Sequence, residues 1–200
     1  MYGDPYATIQ DLENRLGRLD DGRFSSLLDA ASRAVEKFTR RQFNKDTGGS
    51  PTPTARMFTA IDPSRLPVDD FHTETGLALD VNGTAWAASD VEPRPWDGYY
   101  HGMSGWPFFD LIAKSKTWPH KRYPVIEVTA HWGWAEVPEG IRQATLDVAA
   151  SLSFGGSSGV VSSQSIDGYS VSYAVPSNGE AVPPELSKAE PYRRYVYGVA

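Results

Sequence analysis

The sequence predicts an α+β protein in which long helices flank a β-rich insertion and an extended C-terminal tail follows. Two segments carry apolar residues at helical spacing, one starting at Phe24 and the other after Pro138. Between them, residues 55–132 show no convincing helical stripe, and a stretch rich in Gly, Ser, Pro and Thr at 44–54 marks the change in composition. We therefore divide the chain into a first helical part (1–43), the insertion (44–132), the third long helix (133–156), a loop with a short strand (157–185) and a tail (186–200).

The two N-terminal helices are predicted from capping residues and periodicity. Thr8 and Asp11 have the spacing of a capping box, and Gly17 is placed to end the first helix. The second helix has one apolar stripe, formed by Phe24, Leu27, Leu28, Ala31, Val35 and Phe38.

Within the insertion, "ARMFTAI" and "LALDV" have the composition of short strands, and Asn82-Gly83 is a tight-turn signal after the second. "YPVIEVTAHW" is the clearest strand, whereas residues 92–107 suggest an irregular, well-packed excursion. Pro138 suits the first turn of the third long helix. Small residues in the stripe of that helix predict close packing against the helix at 24–40.

Composition excludes several classes of function. The formal net charge of -6 argues against a protein that grips nucleic acid phosphates, since such surfaces need clustered Lys and Arg. The chain has no cysteine, which removes disulfides, thiolate nucleophiles and Cys-ligated zinc. We find no signal peptide and no apolar stretch of transmembrane length, so we expect a soluble protein made in a reducing cytoplasm and no membrane partner.

No catalytic, cofactor-binding or metal-binding motif is present. The four histidines, which include His120 and His131 on either side of a predicted strand, lack metal-ligand spacing, so we expect exposed or packing roles. Asp69, Asp70 and Glu74 could supply paired carboxylates, but a solvated loop is the favoured interpretation. We expect no enzyme and no cofactor.

Aromatic residues suggest two possible interaction sites. We expect Trp132 and Trp134 to pack in the core, while Trp96 and Trp106 either pack or form a stacking platform for sugars. The tail combines the residue types that are enriched at binding hot spots, and the preceding "PPELSKAE" could hold it away from the body. The predicted docking residues are Tyr192, Arg193, Arg194, Tyr195 and Tyr197.

Four phrases in order, "YATIQDLENRLG", "LLDAASRAVEKFTRRQF", "VIEVTAHWGWAEVPEGIRQATLDVAASL" and "GYSVSYAV", resemble the head-to-tail connector (head completion or adaptor) proteins of long-tailed bacteriophages. The resemblance covers residues 6–43 and 123–175; the long insertion at 44–122 departs from the shorter members. It implies a small α-helical bundle core with a β-rich insertion between the second and third long helices. It also implies a structural virion protein that forms a dodecameric ring under the portal and extends the DNA channel.

The resemblance further implies the partners: the portal protein, the next neck component (stopper or tail terminator), other copies of the chain, and double-stranded DNA that passes without sequence-specific binding. The location would be the neck of the virion, after synthesis in the host bacterial cytoplasm. A closed ring needs two different complementary patches on each subunit. Candidates on the polar faces of the helices at 24–40 and 138–154 are Arg33, Glu36, Arg40, Arg142 and Asp147.

Two alternatives to a connector remain. One is a carbohydrate-binding or adhesive virion module that uses the Trp-rich insertion. The other is a hydrolase that uses Asp, Glu and His of the insertion, although no nucleophile–base pair is visible.

Overall fold

The computed structural model describes residues 3–45, 52–119, 123–153, 163–166, 169–172 and 182–194. Helices and antiparallel sheets are both present, so the predicted α+β class is confirmed. The chain divides into two compact units. We call residues 42–136 the β unit, and residues 2–41 with 137–200 the helical unit.

In the described residues of the helical unit there are three α-helices: α1 (Ile9–Leu16), α2 (Phe24–Thr39) and α3 (Glu139–Ser153). The predicted capping box begins α1, because the Asp11 amide donates to Thr8 Oγ1 and the Thr8 amide donates to the Asp11 carboxylate. Gly17 ends α1 at a φ of 63°. The helix α3 begins at Glu139, one residue after the Pro138 that was expected in its first turn, and the Pro138 carbonyl oxygen accepts hydrogen bonds from the Ile141 and Arg142 amides.

One core holds these three helices together. Its buried residues come from α1, α2 and α3 and include Leu12, Phe24, Leu28, Ala31, Leu146 and Ala149. Alanines on both α2 and α3 leave room for the close approach that the sequence predicted. No helix among the described residues is long and apolar enough to cross a membrane.

The predicted extended tail is wrong for the residues that the structure describes. Pro184–Tyr192 forms a 3₁₀ helix, which packs against α2 and α3 and buries Ala189 completely. The segment approaches α3 closely at Gly140, where a Cβ would lie 3.1 Å from the Tyr192 ring and 3.2 Å from the Lys188 carbonyl oxygen. The strands β8 (Ser163–Ile166) and β9 (Tyr169–Ser172) pair as an antiparallel hairpin.

The described residues of the β unit form two antiparallel sheets. The first has the order β1 (Thr54–Phe58), β7 (Ile126–Ala130), β3 (Ala78–Val81) and β4 (Thr84–Trp86). The second has the order β2 (Arg65–Phe71), β6 (Phe108–Ala113) and β5 (Val91–Arg94). Both sheets contribute to one core, whose fully buried members include Leu66, Val68, Phe71, Leu111, Ile126, Val128 and Trp132.

Candidate functional site

The C-terminal segment is anchored at the end of α2. The guanidinium Nε of Arg41 donates to the Tyr192 carbonyl oxygen at 2.9 Å, and the Arg194 amide donates to the Thr39 carbonyl oxygen at 2.8 Å. The guanidinium carbon of Arg193 lies 5.2 Å from the centroid of the Phe38 ring. Burial raises the pKa of the Tyr192 hydroxyl.

The structure thus brings three of the predicted docking residues together against α2, and their contacts serve the fold of the helical unit. Tyr195 and Tyr197, the other two, lie outside the described residues. The hydrogen bond of the Arg194 amide places this residue at the C-terminal end of α2.

Four of the five predicted inter-subunit residues make ion pairs within the chain. Arg33 pairs with Glu36 at 2.9 Å, and the Tyr6 hydroxyl also donates to the Glu36 carboxylate. Arg142 bridges Glu139 at 2.8 Å and Asp11 at 2.9 Å.

Asp147 accepts from Lys188 Nζ at 2.6 Å and also contacts Arg15, so this carboxylate connects α3 to α1 and to the C-terminal 3₁₀ helix. Arg40 is exposed and forms the C-cap of α2 at a φ of 56°. The role of these five residues between subunits stays a prediction.

Most of the aromatic residues of the β unit belong to its core. Trp132 and Trp134 are buried, as the sequence predicted, and their indole N–H groups donate to the Thr54 carbonyl oxygen and to Asp70 Oδ2, both at 2.8 Å. Trp106 is also buried, with its ring centroid 5.1 Å from that of Trp134. Of the two tryptophans left open by the sequence, Trp106 therefore packs and cannot offer a face to a sugar.

Trp96 is the other tryptophan whose role the sequence left undecided, and it is exposed. Its side chain is 58% accessible, and that of Tyr99 in the same turn is 60% accessible. The guanidinium carbon of Arg94 lies 3.2 Å from the Trp96 ring centroid, and the indole N–H donates to the Glu92 carboxylate. The sequence analysis missed Tyr99, although the neighbouring Pro95 and Gly98 mark this stretch as a turn.

Two of the acidic residues considered for catalysis, Asp69 and Asp70, do not face each other. Asp70 is buried and holds Trp134, whereas the Asp69 carboxylate lies 2.7 Å from Arg56 Nη1. This separation follows from the pleat of β2, on which successive side chains point to opposite faces.

The histidines do not form a metal site in the part of the chain that the structure describes, where no group of three or more His, Cys, Asp or Glu could hold an ion. The rings of His72 and His131 lie 5.8 Å apart, and burial lowers the pKa of His72, with the nearby charges of Lys45 and His131 acting in the same direction. His120 lies outside the described residues.

No protein-family model matches the chain, and no curated protein matches it. Solved structures do match it. A chain from the neck of the native GTA particle, computed with C12 symmetry, is 17% identical with a TM-score of 0.52, and the match covers 99% of both chains. A chain from the neck of the empty GTA particle, computed with C6 symmetry, is 18% identical with a TM-score of 0.54, over 99% of this chain and 96% of that one.

A third match is a chain from the virion of the native gene transfer agent (GTA) particle, at 19% identity and a TM-score of 0.53, over 99% of this chain and 96% of that one. At these identities the likeness concerns the fold. It extends over both units, because it covers nearly the whole chain.

Proposed function

We propose that the chain is a structural, non-enzymatic component of a virion neck. More specifically, we propose that it is the head-to-tail adaptor, which forms a dodecameric ring under the portal, extends the DNA channel and offers a docking surface to the next neck component. The observation that carries this proposal is the fold shared over 99% of the chain with chains from GTA necks and virions. The C12 and C6 symmetries of those necks are those of rings.

The charge of the chain supports a role as a DNA conduit. At a net charge of -6, a ring of such subunits would repel phosphates, so DNA would pass without being retained. Two carboxylates that an enzyme could have used are engaged within the chain, because Asp70 accepts a hydrogen bond from Trp134 and Asp69 pairs with Arg56.

We restrict the docking proposal to fewer residues of the tail than the sequence suggested. Tyr192, Arg193 and Arg194 hold the C-terminal segment on α2, so we assign docking on the portal or on the following ring chiefly to the residues after Arg194, including Tyr195 and Tyr197. Aromatic side chains supply much of the binding energy at such contacts.

The test is to mix the purified full-length chain with its cognate portal ring and to examine the product by electron microscopy. We expect a ring of added density on the outer end of the portal. Removal of residues 195–200 should leave the fold unchanged and abolish this density. A deletion that starts at residue 186 is unsuitable, because it would also remove the buried Ala189 and Lys188, the partner of Asp147. If the wild-type chain adds no density to a portal known to be competent, the adaptor proposal is wrong.

One observation favours the carbohydrate-binding alternative, namely that Trp96 is exposed. It predicts saturable binding to a host polysaccharide that Trp96→Ala abolishes. A glycan screen of the full-length chain decides it, and a screen without any bound glycan counts against it.

A further inference from the structure

The turn between β3 and β4 exposes an asparagine that is followed by glycine. Asn82 and Gly83 are its two central residues, because Val81 pairs with Thr84, and both are exposed. Their φ angles are 54° and 80°, and a type I′ hairpin turn requires positive φ at both central residues. An asparagine before glycine is prone to deamidation, since glycine has no Cβ to obstruct an attack by its own amide nitrogen. Asn82 is therefore a chemically reactive position on the surface of the β unit.

Deamidation at this position needs no reagent other than water. The Gly83 nitrogen attacks Cγ of Asn82, a bond forms between these two atoms, and the bond from Cγ to the side-chain nitrogen breaks. The side-chain nitrogen leaves as ammonia and takes the Gly83 amide proton with it. Water then opens the resulting succinimide ring, which leaves aspartate or isoaspartate at position 82. Because the Gly83 nitrogen must lose its proton to act as a nucleophile, a group that binds this N–H controls the rate.

A carboxylate binds this N–H in the folded chain. The Gly83 amide donates to Asp80 Oδ1 at 2.7 Å, which is a hydrogen bond to a charged acceptor. A negative charge at this distance disfavours the amide anion that the attack requires. The Asn82 amide also donates to the Val125 carbonyl oxygen at 2.8 Å, so the residue that would be attacked is fixed by β7 as well. Ring closure therefore requires the turn to open first.

Modification of Asn82 would disturb the core of the β unit. Isoaspartate adds one carbon atom to the backbone of a two-residue turn, which displaces the register that pairs Leu79 with Trp86. The Trp86 ring stacks on the ring of the buried Trp118 at a centroid distance of 4.6 Å. An unmodified Asn82 thus preserves an aromatic contact of the core.

We propose that Asn82 is a latent deamidation site, which Asp80 keeps unreactive in the folded chain. Asp80 acts as a positioning residue that holds the Gly83 nitrogen in its protonated form, and not as a general base that removes the proton. Local opening of the turn releases the reactive pair. The reaction takes place within a single chain, so its test is independent of the proposed function.

The rate of deamidation at each asparagine is measured by peptide mapping with mass spectrometry during storage at mildly alkaline pH. The folded full-length chain is compared with the same chain in urea, and tryptophan fluorescence confirms the folded state. Asn178-Gly179, which lies outside the described residues, supplies the rate of an unfolded Asn-Gly pair in the urea sample. Trypsin places the two asparagines in different peptides, because Arg142 lies between them.

We expect Asn82 to deamidate about ten- to hundred-fold more slowly in the folded chain than in urea, which corresponds to the strength of a hydrogen bond to a charged group. Asp80→Ala should remove most of this difference while the chain stays folded. Glu127→Ala is the matched control, because Glu127 is exposed and pairs with Asp80 in the register of β3 with β7. It removes a neighbouring carboxylate without removing the acceptor of the Gly83 N–H, so the rate should stay nearly unchanged.

Four results would overturn the proposal. Equal rates for Asn82 in the folded and the urea-treated wild type would mean that the fold gives no protection, and this comparison holds even if Asp80→Ala does not fold. An unchanged rate in folded Asp80→Ala would exclude the hydrogen bond as the cause, and a lower rate would identify Asp80 as a general base. Equal acceleration by Glu127→Ala would assign the protection to the negative charge of this part of the sheet and not to the hydrogen bond.

Discussion

Replacing Gly133 by alanine should destabilise the β unit strongly. Gly133 has a φ of +88°, a conformation that costs a residue with a Cβ about 1–2 kcal/mol. A Cβ there would overlap the carbonyl oxygen of Asn44 and lie 2.8 Å from the Asn44 carbonyl carbon and 2.9 Å from Lys45 Cα. These are backbone atoms, so relief requires a chain shift that costs about 1–3 kcal/mol more. We therefore expect Gly133→Ala to lower the free energy of unfolding by about 2–5 kcal/mol, out of about 5–15 kcal/mol for an ordinary domain.

Urea unfolding followed by tryptophan fluorescence measures this loss. All six tryptophans lie between residues 86 and 134, so the signal reports on the β unit. A loss of about 3 kcal/mol would move the urea midpoint by about 1–3 M. Gly83→Ala is the matched control, because Gly83 has a φ of +80° but nothing within 4 Å of its added Cβ. If both variants lose the same stability, the close approach of Asn44 and Lys45 contributes nothing and the reasoning is wrong.

Two further predictions concern the same unit. Trp106→Ala should lower the free energy of unfolding by about 3–5 kcal/mol, because it leaves a cavity beside Trp134 in the core. A small change in the urea midpoint would contradict this core role. Because burial lowers the pKa of His72 below its ordinary value of 6.5, the unfolded chain binds the proton more tightly, and stability should fall as pH drops below about 6.5 towards the lowered pKa. Urea midpoints at about pH 7.5 and about pH 5.5 should differ less in His72→Gln than in the wild type, and an equal difference would exclude His72 as the cause.

Strands in which inward-facing and outward-facing residues alternate regularly were predictable from the sequence. Strands interrupted by buried polar residues or by proline were not. The strand β7 and the Asn82-Gly83 turn match the structure because their signals are local. The strand β2 was missed because Pro67 and two aspartates interrupt its apolar pattern. Pro67 is tolerated because β2 is an edge strand.

The strand β6 also contains a buried charged residue, and the residue that pairs with it is distant in sequence. Asp110 is buried in this strand, and Arg65 on β2 binds it through two hydrogen bonds of 3.0 and 2.6 Å. The partner is 45 residues away, so no local pattern could reveal that the charge is satisfied.

The C-terminal segment shows a different limit of local prediction. "PPELSKAE" has no apolar stripe and reads as a spacer, yet the small buried Ala189 lets it pack on the helices. The room for this packing comes from Gly140 at the start of α3, which is remote in sequence. Likewise Trp96 and Trp106 lie in similar sequence, and the contact of Trp106 with Trp134 decides which of them is buried.

The ion pairs of the helical unit limit what its polar helix faces could contribute to a contact between subunits. Arg142 and Asp147 already have partners within the chain, so such a contact would exchange one ion pair for another. Exposed ion pairs contribute about 0–1 kcal/mol, and their exchange contributes less.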